Sequence, residues 1–113
     1  MTEGGGQRVE IESWDEGRDG PLSERALRLR LERLGYNVAR YVYPPGTFFP
    51  DHTHDIDKID AVLSGRFQIT IEKRRMILQA GDCIVVPRGT THRAEVVGDE
   101  PVVSLDATRG TSH

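Results

Sequence analysis

The chain has a single cysteine, Cys83, and a single tryptophan, Trp14, among its 113 residues. One thiol excludes an internal disulfide and suits a reducing, cytoplasmic setting. No stretch approaches the ~18 apolar residues that a membrane span needs. The opening Met-Thr-Glu-Gly-Gly-Gly has neither the basic start nor the apolar run of a secretory signal, so a cytoplasmic protein with no membrane partner is expected. Lysine is scarce as well: Lys58 and Lys73 stand beside thirteen arginines, and the arginines are scattered. With 15 basic and 18 acidic residues the net charge is −3, and the basic stripe that a nucleic-acid partner would require is missing. Internal repeats are missing too, and the only low-complexity tract is the N-terminal glycine run. A chain of 113 residues builds one hydrophobic core, not two.

What is present divides into an arm over 1–22, a short helix over 23–35, a β-rich body over 36–108 and a loose tail over 109–113. In the arm, the glycine-rich residues 1–6 are expected to be disordered. Val9 and Ile11 alternate with glutamates and suit a short edge strand, Trp14 suits a packing anchor, and Asp19-Gly20-Pro21 is a turn signal. Between Ser23 and Leu34 the leucines fit both a period of two and the helical spacing of Leu27, Leu31 and Leu34. Ser23 as N-cap, Glu24 in the first turn, Gly35 after the end and the lack of β-branched residues decide for a helix lying across the outside of a sheet. From Asn37 onward, short runs rich in Val, Ile, Tyr and Phe alternate with Gly- and Pro-marked turns at near-regular spacing. That is the pattern of an antiparallel sandwich or barrel.

Three of the four histidines fall inside this β-rich body. A strand carrying His52-Thr53-His54 directs two imidazoles to one face, because residues two apart in a strand share a side. His92, from a distant strand, supplies a third. Three neutral nitrogens suit a divalent transition metal, Zn, Ni, Fe, Mn or Cu, and leave positions open for substrate. The alternative for a bare His-x-His is a pair of exposed imidazoles, or buried ones satisfied by backbone groups.

The spacing around these histidines resembles the cupin superfamily of small jelly-roll β-barrels. Its first signature, G-x5-H-x-H-x3-or-4-E-x6-G, reads here as Gly46, His52, His54, Lys58 and Gly65. Its second, G-x5-P-x-G-x2-H-x3-N, reads as Gly81, Pro87, Gly89, His92 and Val96. Eight of the ten signature positions match, and the resemblance runs over roughly residues 36–107. It implies an all-β, cupin-like jelly-roll barrel with a metal between the two motifs, held by His52, His54 and His92. It also implies a homodimer.

Two positions depart from the signatures, and Lys58 is the one that matters. The family's glutamate is its anionic ligand, and a cation stands in its place. At about 4 Å and an effective dielectric of ~20, each unit-charge repulsion from a divalent ion is about 4 kcal/mol. Lys58 could be a neutral amine and act as general base or nucleophile, or pair with Asp60 or a substrate carboxylate. A bulge could turn Asp57 inward as a fourth ligand, or the site could have lost its metal. The plain alternative is a salt-bridged lysine at the barrel mouth among Asp55, Asp57 and Asp60. Asp51 and Asp55 flank the histidines and could orient an imidazole or be simply solvated. Cys83 is expected to pack as a small hydrophobe. The function expected is a metal-dependent enzyme, of dioxygenase, isomerase or lyase type, on an anionic small molecule, with Lys58 as the catalytic candidate. The alternatives are a small-molecule-binding or sensing cupin without turnover, and a structural cupin whose pocket has lost its metal.

Overall fold

The alternation of apolar and polar residues beyond Gly35 predicts strands, and the computed structural model has them. It describes residues 9–109; the glycine run at 1–6 and the end of the tail, with His113, lie outside the described residues. The described residues form nine strands: β1 (Ile11–Ser13), β2 (Asn37–Tyr43), β3 (Phe48–His52), β4 (Asp57–Ser64), β5 (Arg66–Ile71), β6 (Arg74–Leu78), β7 (Asp82–Val86), β8 (His92–Val97) and β9 (Val102–Arg109). They form two antiparallel sheets, one in the order β1-β7-β4-β9-β2 and the other β3-β8-β5-β6. The jelly-roll barrel lies between them. Its core takes Val62, Ile84, Val86 and Val102 from the first sheet and Phe67, Ile69, Ile71, Leu78 and Val96 from the second. None of the helices among the described residues is long and apolar enough to cross a membrane.

The predicted helix is α2 (Glu24–Arg33), following α1 (Glu16–Asp19). The Ser23 side chain accepts a hydrogen bond from the Ala26 N–H, which satisfies one of the first-turn donors that a helix leaves unpaired. Leu27 and Leu31 are fully buried on the outer face of the five-stranded sheet, against Tyr36, Ile59, Ala61, Leu105 and Ala107. Burial of each leucine contributes roughly 1.5–3 kcal/mol. Leu34, the third leucine of the helical spacing, is instead exposed past the helix end, where the chain turns at Gly35.

The arm departs from a single strand. Asp15 caps the extra four-residue helix α1 by accepting from the Gly17 and Arg18 N–H groups. Trp14 donates its ring N–H to the Gly20 carbonyl, and the Arg30 guanidinium lies 4.5 Å from its ring centroid. β1 pairs with β7 of its own chain. Cys83 packs beside the helix-side cluster, and burial pushes its thiol up to about 11, so it stays protonated and unreactive.

β4 and β9 decide where the site lies. Both are interior strands of the five-stranded sheet and carry buried residues on both faces. Outward residues Ile59, Ala61, Leu105 and Ala107 meet the helix. The inward set changes character along the strand: Val62 and Val102 are apolar, whereas Lys58, Asp60, Ser104 and Asp106 are polar. The barrel interior is therefore graded, apolar at one end and charged at the other.

Candidate metal centre

His52 ends β3 and stands directly opposite His92, the first residue of β8. Their ring centroids are 4.2 Å apart, and those of His54 lie 4.8 and 5.1 Å from His52 and His92. One nitrogen from each of the three lies within 4.8 Å of the others. The convergence does not come from a strand's period of two. β3 stops at His52, and His54 belongs to the irregular link that leads to β4. Three residue steps, from Phe49 to His52, span the same stretch as the two steps from Ala94 to His92, so one extra residue bulges out. Pro50 lies in that interval; it cannot donate to the ladder and sits in an edge strand, where a bulge is tolerated.

Backbone groups fix the rings. The His52 Nδ1 lies 2.6 Å from the Pro50 carbonyl and the His92 Nδ1 lies 2.9 Å from that of Thr90. A carbonyl only accepts, so both Nδ1 atoms carry the proton and both Nε2 lone pairs are left free. The Nε2 of His54 is buried and has no hydrogen-bond partner. An orphaned imidazole nitrogen beside two rings with free lone pairs is the donor set a divalent transition ion takes, so the residues present fit a metal. His92 is 3% exposed. The loops are tied together too: the Gly89 N–H donates to the His54 carbonyl at 2.9 Å, and the Arg88 N–H donates to Asp57 at 3.2 Å.

Burial, then the charge of Lys58, holds the His54 pKa below its ordinary value. Burial does the same at His92, against a hydrogen bond to Thr90 that works in the other direction. Neutral imidazoles are the ligating form. Both folded values lie below the ordinary 6.5. The stability they contribute is therefore complete above about pH 6.5 and is lost as pH falls through the folded values. Unfolding scans of metal-free protein should show a midpoint that drops on acidification below about pH 6.5, and His54→Gln/His92→Gln should flatten that slope. A slope unchanged in the double variant would refute the assignment.

Lys58 faces the interior, set by β4 itself, since the chain bends between His54 and Asp57. Its Nζ lies 3.2 Å from Asp60 Oδ1 and 3.5 Å from Asp106 Oδ2. Burial disfavours the ammonium, but Asp60 and Asp106 outweigh it and raise the Lys58 pKa above its ordinary value. Lys58 is held as a cation, not as a free amine. Burial, opposed by Lys58, leaves the Asp60 carboxyl above its ordinary value. Asp106 also accepts from the Tyr43 hydroxyl at 3.0 Å and from the Ser104 hydroxyl at 2.7 Å. Burial, then the charge of Asp106, pushes the Tyr43 phenol well above its usual range, so it stays a donor.

Asp57 does not turn inward. It lies 3.8 Å from both Arg88 and Arg109 and anchors the turn before His92. Asp51 forms a two-pronged pair with Arg93 at 2.9 and 3.0 Å, so backbone carbonyls orient the rings where flanking carboxylates were one expectation. Asp106, Tyr43 and Ser104 were not singled out by the sequence reading. The available signal was parity: Ser104 and Asp106 are polar residues of one parity in the run 102–107, which is otherwise Val, Leu and Ala.

Two cavities meet at Lys58 and Asp106. An inner one of about 50 Å³ is lined by His52, His92, Lys58, Asp60 and Asp106 together with the rings of Tyr43, Phe49 and Phe67. An outer groove of about 300 Å³ is lined by His54, Lys58, Asp106, Tyr41 and Asn37. A larger groove of about 820 Å³, near Ser13, Arg66 and Glu100, contains none of the histidines and is an open, polar surface.

Comparison with known proteins gives a consistent picture. The family model for the cupin domain matches residues 39–108. A germin-like protein of rice, Germin-like protein 9-3 of Oryza sativa subsp. japonica, is 34% identical over 83 residues, which is 68% of this chain and 39% of that protein. A 53-residue stretch is 40% identical to endoribonuclease YbeY of Myxococcus xanthus, covering 47% of this chain and 18% of that protein. The chain thus spans well under half the length of these curated relatives. A crystal structure of a cupin protein from Bacteroides fragilis superposes with a TM-score of 0.57 at 26% identity, over 68% of this chain and 72% of that one. With the family model matched over most of the chain and both sheets in place, this protein belongs to the cupin superfamily.

Proposed function

We propose that this cupin is a metal-dependent enzyme, of dioxygenase, isomerase or lyase type, that acts on an anionic small molecule. The observation that supports the reading is the buried, partnerless His54 Nε2 beside two imidazoles whose Nε2 atoms are free. A divalent transition ion on His52, His54 and His92 would supply Lewis-acid chemistry or, if redox-active, oxygen activation. The rest of the site handles substrate. The inner cavity, about 50 Å³, is small beside the outer groove of about 300 Å³, so the body of an organic substrate is assigned to the outer groove. There Lys58 has three N–H donors, two of them engaged by Asp60 and Asp106. The third is free to bind an anionic oxygen or pass it a proton. Tyr41, stacked on Tyr43 with centroids 5.9 Å apart, offers an aromatic wall.

Assembly as a homodimer belongs to the same reading, because β2 is an edge strand with Tyr41 and Val42 exposed on it. The ribonuclease likeness, limited to 18% of that relative, adds nothing to it. A binding or sensing cupin without turnover is the second reading, favoured by the lack of an anionic ligand among the converging residues.

Elemental analysis of tag-free protein, followed by oxygen-consumption, isomerase and lyase screens on small carboxylates, separates them. Bound metal with turnover supports the enzyme. Bound metal with saturable carboxylate binding and no turnover supports the sensor. Protein that neither carries Zn, Ni or Fe nor takes them up sinks the metalloenzyme.

A further inference from the structure

Asp60 on β4 and Asp106 on β9 stand directly opposite each other in the sheet, both turned into the barrel. Like charges in facing positions repel, and Asp60 is 4% exposed, so water does little to screen it. Apolar residues at all three positions, Lys58 included, would spare the fold this repulsion, since replacing a whole buried ionic group by apolar residues is often neutral or stabilising. The interior nevertheless keeps both carboxylates, bridges them with Lys58 and fixes Asp106 with the hydroxyls of Tyr43 and Ser104. With both carboxylates ionised, one ammonium against two leaves a net charge of −1 at the wall of the cavity that His52 and His92 also line. Neither carboxylate is among the groups that converge with the three histidines, so neither is a ligand in this arrangement.

We propose that Lys58, Asp60 and Asp106 act as one counter-charge unit for the three-histidine site, supplying from outside the ligand set the single negative charge that the glutamate of the first signature would supply within it. The unit explains how a lysine can occupy the glutamate's place. Its ammonium does not face the metal position alone, because it comes with two carboxylates that over-compensate it. This inference rests on the metal reading above.

The test measures Co(II) and Zn(II) affinity of tag-free full-length protein at neutral pH, by competition with a chromophoric chelator. Lys58→Leu removes the cation without adding a donor and is expected to tighten binding tenfold or more. Asp106→Asn is expected to weaken it by a similar factor, the range seen for residues just outside a ligand set being about 10–100-fold. The double variant Lys58→Leu/Asp106→Asn has the wild-type net charge and is expected to return to within about threefold of wild type. The visible spectrum of bound Co(II) should not change across the series, because the ligands stay the same. Asp60→Asn repeats the Asp106 arm; if it unfolds, as read by circular dichroism, the other three proteins decide. Wild-type-like affinity in every folded variant, or a double variant weaker than both singles, overturns the counter-charge unit while leaving the metal reading intact. Wild-type protein that binds neither ion overturns both.

Discussion

His52→Ala/His92→Ala is expected to abolish stoichiometric metal binding. The two residues face each other across β3 and β8, and their loss leaves one imidazole at the site, where three converge in the native chain. Residues outside a ligand set are already worth about 10–100-fold in metal affinity, so loss of two ligands should exceed about hundredfold for every candidate ion. The fold should persist, because both rings sit at the charged end of the barrel and the apolar core on β5, β6 and β7 does not include them. His113→Ala, which changes the remaining histidine of the sequence, is the control and should keep full metal content. Elemental analysis beside circular dichroism reads both quantities. A folded double variant that still holds an equivalent of metal would place the ion elsewhere.

Gly65→Ala is expected to be the most destabilising Gly→Ala change among the described residues, at about 2–6 kcal/mol. Gly65 turns the chain from β4 into β5 with φ at 84°, a conformation that strains any residue with a Cβ. A Cβ there would also lie 2.3 Å from the Pro101 carbonyl oxygen and 2.9 Å from the Val102 Cα, both backbone atoms that cannot swing away. Gly46 has nearly the same φ, 83°, but nothing lies within 4 Å of its would-be Cβ. Gly46→Ala should therefore show the conformational cost alone, about 1–2 kcal/mol. Urea unfolding of the two variants measures the difference. Equal losses would mean that β4–β5 and the turn before β9 separate easily, contrary to the contact seen.

The two glycines show how legibility divides in this chain. Both belong to the same signature, and both need positive φ, which the turn chemistry at each makes readable. Only Gly65 is pressed against a turn thirty-odd residues away in sequence. The helix was legible for a local reason, since the Ser23 cap and the leucine spacing are contained within a dozen residues. Its final leucine was not, because the capping geometry at Leu34 turns that side chain out of the face that Leu27 and Leu31 share.

The sequence by itself determined the family, the strand-rich body, the identity of the three histidines and the oddity of Lys58, because each rests on residue type and short-range spacing. Tertiary structure decided the rest of the site. Strand parity places Lys58 and Asp60 on one side of β4, but it cannot say which side is the interior or what lies across the ladder. The register of β4 on β9 set Asp106 opposite Asp60, and the hydroxyls of Tyr43 and Ser104 then closed around it. The bulge around Pro50 brought His54 to the other rings from outside any strand. Pairing between strands far apart in the chain has no local signature, since the free energy that selects one register is the burial of the whole sheet face.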